Sequence, residues 1–336
     1  MTTYQENTMK HHLNRRQSVL ALCTLLAAAT LSAPAFGQAY PSRVVKVVVP
    51  YSPGSNPDIA TRIVMQAMAE RLGQPFVLDT KIGAGGSIGL SAGAKSAPDG
   101  YTITTGHVGG LAINPAIYEK LPYDTAKDFV PIMQMYKSPL LMLVSETSPY
   151  KTLADVIAAA KANPGVITYS SGGNGNGAHL SGESLAALTG VSMKHIPYKT
   201  VSDALVGVVG GDITFSFGNL SLGMPLVKGK KLRAIAFSGD ARVAEYPDIP
   251  TVGETVKGFE FHDWSGMLAP AGTPPAIVAK LQADMSAVLA QPEVVKLLRA
   301  QGLIPVQNSS EAFGKFIESE QKKWGQLAKS INLKLN

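Results

Sequence analysis

Cysteine is almost missing from this chain. The single one, Cys23, lies in an apolar run near the N-terminus, so the remainder can hold no disulfide, no thiolate metal site and no cysteine nucleophile. Charge is scarce as well. Only 16% of the 336 residues are charged against 45% hydrophobic, which excludes extensive disorder and leaves enough apolar mass for large cores. At that length two domains are expected from the soft prior of about 150 residues each. Gly85-Gly86-Ser87-Ile88-Gly89 and Gly89-Leu90-Ser91-Ala92-Gly93 match G-x-S-x-G only inside a small-residue run that reads as a turn and helix, and His107, His179, His195 and His262 show no metal-type pair spacing, so neither a serine hydrolase nor a metal centre is supported. No basic run with interleaved aromatics appears, and the mild positive balance gives no reason to expect nucleic acid.

What is present begins with a segment that does not belong to the fold. Lys10, Arg15 and Arg16 form a basic start, Val19 to Leu31 is an apolar run too short to span a bilayer comfortably, and small residues follow. Residues 1–39 are therefore read as an export signal cleaved near Ala35 or Ala39. The Arg15-Arg16 pair leaves twin-arginine export open beside the general route. Cleavage lowers the formal charge from +6 to +4, through loss of Lys10, Arg15, Arg16 and Glu6, and removes the cysteine.

The organising stretch is Val166 to Leu188. A β-branched and aromatic run (Val166, Ile167, Thr168, Tyr169) breaks into Ser171-Gly172-Gly173-Asn174-Gly175-Asn176-Gly177, and an apolar period of three to four takes over at Leu180, Leu185 and Leu188. Strand, open loop and helix follow from that order. Glycines let the backbone approach a ligand, and the first N–H groups of a helix have no partner of their own, so the site suits a carboxylate or a phosphate. The same design recurs where Arg43 to Val49 leads into Pro50-Tyr51-Ser52-Pro53-Gly54-Ser55-Asn56-Pro57-Asp58, with Asn56 a fitting N-cap and Pro57 a favoured first helical residue. In open α/β sheets ligands sit beyond the carboxyl ends of strands, where two such loops would face each other across a cleft. Either loop alone reads equally well as a tight β-to-α connection.

Elsewhere the pattern predicts a helix over Ile59–Leu72, a strand at Phe76–Asp79, a small-residue helix after Gly83, and a strand at Tyr101–Thr105 that ends in Gly106-His107-Val108-Gly109-Gly110. Val130 to Ser145 is a long apolar extended segment suited to run between two sheets, and Phe261 to Pro270 reads as the return crossing. Between them helices are expected at Leu153–Ala162 and Ser202–Val209, with strands at Met193–Ile196, Asp212–Phe217 and Lys231–Ser238. Helices at Ile277–Leu289, Val294–Arg299 and Glu311–Ile331 finish the chain. Strand-then-helix order predicts mainly parallel sheets. His107 and His179, at glycine-rich strand ends, can line the cleft or only support it, whereas His195 reads as a core or edge residue. Gly173 to Ala178 also satisfies G-x-G-x-x-A, the dinucleotide pattern, but the next strand ends at Ile196-Pro197-Tyr198-Lys199 without the acid that would hold a ribose.

With these residues in hand, the chain from about Tyr40 onward resembles the Bug family, the receptors of tripartite tricarboxylate transporters. GAGGSIG at 83–89, APDGYT at 97–102, LAINPAIYEKLPYD at 111–124, SSGGNGNGAHLSGE at 170–183, HIPYK at 195–199 and LAPAGTP at 268–274 carry the resemblance. It implies an α/β, two-lobed periplasmic binding protein of type II-like form, each lobe a mainly parallel sheet flanked by helices, joined by two hinge crossings. Lobe 1 would take 40–140 plus 262–336, and lobe 2 would take 141–261. The implied function is a periplasmic, monomeric receptor without catalytic activity, cofactor or metal. It would bind a small organic acid, aromatic or dicarboxylate among the candidates, between its lobes and deliver it to the large and small membrane subunits of the transporter. A ligand-presenting sensor component is the alternative, and a dinucleotide-dependent enzyme a remote one.

Similar proteins hold a ligand carboxylate through backbone amides and waters between the two loops. The candidate site is accordingly Tyr51, Ser52, Pro53, Gly54, Ser55, Asn56, Thr105, His107, Ser171, Gly172, Asn174, Gly175, Asn176, Gly177, His179, Thr200 and Gly218. Two departures stand out. The first loop has Pro53-Gly54-Ser55-Asn56-Pro57-Asp58 where the family pattern is P-G-G-x-T-D, and Gly218-Asn219 replaces the usual Asp-Asn. The second departure implies a non-amino acid ligand of some bulk.

Overall fold

Four valines in the five residues of β1 (Val45–Val49) make a strand buried on both faces, and Pro57 and a glycine C-cap at Gly73 fix the ends of the helix that follows, α1 (Asn56–Leu72). The structure, a computed structural model, describes residues 40–330 and 333–334; the expected export segment with Cys23 lies outside the described residues, as does Ile331. The chain continues through β2 (Phe76–Thr80), a 3-10 turn at Ala84–Gly86, α2 (Ser87–Ala94) and β3 (Thr102–His107). A π-turn at Gly109–Ile113 leads into α3 (Asn114–Ile117), and β4 (Phe129–Ser138) follows.

The second sheet opens with β5 (Leu141–Ser145), only two residues after β4. Then come α4 (Leu153–Ala162), β6 (Thr168–Ser171), α5 (Gly177–Thr189), β7 (Lys194–Pro197), α6 (Val201–Gly210), β8 (Phe215–Gly218), α7 (Leu220–Lys228), β9 (Leu232–Phe237) and α8 (Val252–Thr255). Thr152 and Asp155 close α4 with a reciprocal capping box, 3.2 and 2.9 Å, where the sequence predicts the helix to begin. The chain returns through β10 (Asp263–Pro270) and ends with α9 (Pro275–Leu289), α10 (Pro292–Ala300), β11 (Ile304–Pro305) and α11 (Ser310–Ser330). No element was expected over Leu220–Lys228, because Pro225 disguises a helix there.

Strand order is β11-β4-β10-β3-β1-β2 in one sheet and β7-β6-β8-β5-β9 in the other. The sheets are mixed, which corrects the mainly parallel expectation. β1 pairs parallel with β2 and β3, and β6 with β7 and β8, but β10 runs antiparallel to β3 and β4, and β5 antiparallel to β8 and β9. The cause is the crossings. β5 and β10 each arrive from the other sheet and start at the edge where their neighbours end, so they must run the opposite way.

The near-continuous apolar run of Val130 to Ser145 divides between β4 and β5, and both faces of β5 are covered. Met142 and Val144 point into a large core shared with Tyr169, Phe215, Trp264 and Phe313, whereas Leu141 and Leu143 point to a second core with Leu205, Leu220 and Phe237. The stripe Phe313, Ile317, Glu320, Trp324 and Ala328 of α11 packs onto the large core at helical spacing. Its one acid is not stranded: Glu320 Oε2 accepts from the indole N–H groups of Trp264, at 2.9 Å, and Trp324, at 3.0 Å.

Candidate functional site

The loop between β6 and α5 takes backbone conformations that favour glycine, φ +124° at Gly173 and +76° at Gly175. It is braced from below. Gly173 N–H donates to Ser171 Oγ at 3.2 Å, and Ser171 Oγ shares a 2.7 Å hydrogen bond with His195 Nε2. Asn176 Oδ1 caps α5 by accepting from His179 N–H at 2.9 Å, and Gly175 N–H donates to His179 Nδ1 at 3.0 Å. That last bond leaves the His179 proton on Nε2, 3.7 Å from Glu183 Oε1. The His179 bond, opposed by burial and helped by the Tyr169 hydroxyl, holds the Glu183 carboxyl below its ordinary range. His195 stacks on the His179 ring at 3.9 Å, and burial, then the neighbouring His179, pushes its pKa down to about 4. These braces consume the N–H groups of Gly173, Gly175 and His179. The N–H groups of Gly177 and Ala178, at the positive end of α5, have no partner within the helix.

Opposite stands the end of the first sheet. The Tyr51 ring meets His107 edge-on at 5.1 Å, and Gly86, at φ +95°, lets the backbone pass where a Cβ would press into the Tyr51 ring. Gly109 N–H donates to His107 Nδ1 at 3.3 Å, which places the ring proton on Nε2, and this donates to Asp263 Oδ1 at 2.5 Å. Asp263 also accepts from Asn56 Nδ2 at 3.0 Å and from the Tyr136 hydroxyl at 3.3 Å. Burial alone would raise the Asp263 carboxyl, but these donors, His107 foremost, hold it below the usual range. The His107 ring is therefore fixed in place by a buried carboxylate. Burial, with Tyr123 and Asp263 nearby, raises the Tyr51 hydroxyl well above its ordinary value, so it remains a proton donor. No protein group accepts that proton among the described residues.

Between the two ends lies a cleft of about 380 Å³. Its walls are Pro50, Tyr51, Ser52, Ile82, Gly83, Gly85, Gly86, His107, Gly109, Asn114, Tyr118, Gly172, Asn174, Gly175, Asn176 and Gly177. None of them is Asp, Glu, Lys or Arg. What such a cavity offers an anion is backbone amides, a helix end and neutral side-chain donors.

Residues 60–333 match the family described as the tripartite tricarboxylate transporter family receptor. The chain belongs to this family. Its members are periplasmic solute-binding receptors rather than enzymes, which sets the dinucleotide reading aside. BugT of Bordetella pertussis is 30% identical over 325 residues, covering 96% of this chain and all of BugT. Rpa4515 of R. palustris, solved with adipate, is 31% identical with a TM-score of 0.80, over 88% of this chain and 99% of that one. MatC (Rpa3494) from Rhodopseudomonas palustris, solved with bound malate, is 30% identical with a TM-score of 0.75, over 86% and 99% of the two chains.

Of the residues this receptor's sequence singles out, the cleft gathers Tyr51, Ser52, His107, Gly172, Asn174, Gly175, Asn176 and Gly177. The others stand behind it or away from it. Pro53, Gly54 and Ser55 turn outward, Gly54 N–H being taken by Asp58 Oδ2 at 2.9 Å. Ser55, not Asn56, occupies the N-cap position, because the Asn56 amide is drawn to buried Asp263. Thr105 is fully buried against Thr61, and Ser171 and His179 are the loop braces described above. Thr200 caps α6, accepting from Asp203 N–H at 3.1 Å. Gly218 ends β8 facing inward: a Cβ there would meet Leu143 and Leu205 at 3.1 to 3.4 Å, so the missing carboxylate of the family pattern opens no space in the cleft.

Sequence reasoning passed over the third wall, Ile82 to Gly86 with Asn114. Its signal lay in the glycines of the GAGGSIG run and in Asn114-Pro115, where Asn114 Nδ2 donates to Gly85 O at 3.2 Å and ties the two together. The metal-type grouping Asp240, Glu260 and His262 lies elsewhere, and Lys137 Nζ already neutralises Asp240 at 3.2 Å. No helix among the described residues is long and apolar enough to cross a membrane.

Proposed function

We propose that the cleft binds a small dicarboxylate and that the receptor carries it, after export and loss of residues 1–39, to the large and small membrane subunits of a tripartite transporter. The observation that carries this reading is a cavity free of Lys, Arg, Asp and Glu, set at the N-terminus of α5. A carboxylate there meets partial positive charge and unpartnered N–H donors without an opposing acid. Relatives solved with adipate and with malate, both dicarboxylates, support the choice of ligand class. The second carboxylate would lie toward Tyr51, whose hydroxyl proton is unclaimed.

The receptor acts as a monomer with lobe 1 at 40–140 plus 262–336 and lobe 2 at 141–261, and the crossings into β5 and β10 serve as the hinge. Small-angle scattering should show a more compact particle with ligand. Identical curves with and without saturating ligand would count against closure. For binding itself, a thermal-shift screen over carboxylic acids is the direct test. A ligand at about 100 times its dissociation constant stabilises the fold by about 2.7 kcal/mol. A panel of dicarboxylates that leaves the melting temperature unmoved, while amino acids or sugars raise it, would refute the assignment.

A further inference from the structure

A second cavity, larger than this cleft, lies elsewhere among the described residues. A groove of about 960 Å³ runs between α7 and the Val243–Tyr246 segment on the second-sheet side and α10 with β11 on the first-sheet side. In the first sheet β10 stands between the strands that lead to the two cavities: the cleft takes Pro50 just after β1 and His107 of β3, the groove Pro139 just after β4 and Ile304 of β11. The halves touch at the groove. Gly302, at φ +75°, presses against Leu220 so closely that a Cβ would sit 2.5 Å from it, and Arg299 pairs with Glu245 at 3.3 Å.

The lining has a two-part chemistry. Leu220, Met224, Val243, Val295, Leu303 and Ile304 make apolar walls, and its only ionisable acid is Glu245, set against Lys228, Lys296 and Arg299. Arg299 is spoken for by Glu245, and Lys296 has only an exposed, 3.5 Å pair with Glu293. Lys228 has no ion-pair or hydrogen-bond partner among the described residues. Apolar walls with a few convergent polar groups, in a volume of about 300 to 1,000 Å³, are the usual form of a small-molecule site. Excess positive charge at the rim selects an anionic head.

We propose that this groove is a second ligand site, taking a small amphipathic anion: an unbranched carboxylate whose apolar tail lies along Leu220, Met224, Val243 and Val295 and whose head meets Lys228 and Lys296. It differs from the cleft in chemistry as well as place. The cleft offers amides to a compact polar acid, whereas the groove offers hydrocarbon and flexible ammonium groups.

Calorimetric titration of the purified protein with decanoate, below its micelle concentration, tests the assignment, with adipate as probe of the cleft. Decanoate should bind one per chain, with a negative heat-capacity change, and saturating adipate should leave that stoichiometry intact. Lys228→Glu combined with Lys296→Glu should weaken decanoate at least tenfold, and Val295→Asp should abolish its binding, while both variants keep the wild-type affinity for adipate. Absence of saturable decanoate binding, one-for-one displacement by adipate, or wild-type decanoate affinity in the surface lysine variant would each overturn the proposal. The adipate arm rests on the cleft reading, so adipate that fails to bind beside decanoate that does would refute the cleft and leave the groove standing.

Discussion

Gly175→Ala separates the strain of a turn from its contact with ligand, provided it is paired with Gly190→Ala. Both glycines are left-handed, at φ +76° and +65°, and flank the same helix: Gly175 precedes α5 and Gly190 is its C-cap. A left-handed alanine costs about 1 to 2 kcal/mol, partly offset by about 0.4 to 1 kcal/mol from the stiffer unfolded chain. Each variant should therefore lose up to about 1.5 kcal/mol in a urea melt. Their surroundings differ. A Cβ at Gly190 meets nothing within 4 Å, whereas one at Gly175 falls 2.6 Å from Ile117 Cδ1, too close for any real contact, so the turn or Ile117 must shift. Charge-assisted hydrogen bonds contribute about 1.5 to 3 kcal/mol each, and displacing one from a bound carboxylate is roughly a tenfold loss or more. Calorimetry with adipate should show that loss in Gly175→Ala and none in Gly190→Ala. Equal affinities in the two variants, with both destabilised, would refute the reasoning that the turn contacts the ligand.

Further outcomes follow from groups whose partners are on view. Tyr51→Phe removes a buried hydroxyl with no protein acceptor, so the ligand-free melt should hold or rise while affinity for a dicarboxylate falls about tenfold; unchanged affinity would take Tyr51 out of the site. His195 titrates near about 4 in the fold against about 6.5 when unfolded, because burial and then His179 disfavour its charge. It is neutral in both states above pH ~6.5, and the unfolded chain alone takes up its proton as pH falls from there to about 4, so stability drains across that window. Melts of His195→Gln should show a shallower decline over the same range, and an identical slope would contradict the assignment. Glu320→Ala leaves the indole N–H groups of Trp264 and Trp324 without their shared acceptor, at about 1 to 3 kcal/mol apiece, which a urea melt followed by tryptophan emission would read. A change under about 0.5 kcal/mol there would argue against that bridge.

Much of the fold was legible because its signals are local. Thr152 and Asp155 announce the start of α4, Pro57 and Gly73 bracket α1, and the apolar run of Val130 to Ser145 marks the first crossing. Strand direction was not legible. Nothing in the residues of β5 or β10 says that each begins at the edge where its neighbours end; only the crossing imposes it. At the site, the glycine turn before α5 could be read because positive φ demands glycine in the chain itself. Which of its donors remain free could not. That depends on Asn176 and His179 reaching their own backbone, and on Asp58 and Asp263 drawing Gly54 and Asn56 away from the cleft. The Gly83–Gly86 wall escaped because a turn and a ligand wall have the same composition, and only the Asn114 tether distinguishes them.

The central claim is that backbone amides at the start of α5 hold a carboxylate. Titrating ¹⁵N-labelled protein with adipate and following the amide resonances tests it directly. The account predicts saturable shifts at Gly172, Asn174, Gly177 and Ala178, with the Lys228 to Lys230 amides unmoved. Adipate that binds while those four resonances stay in place would contradict it.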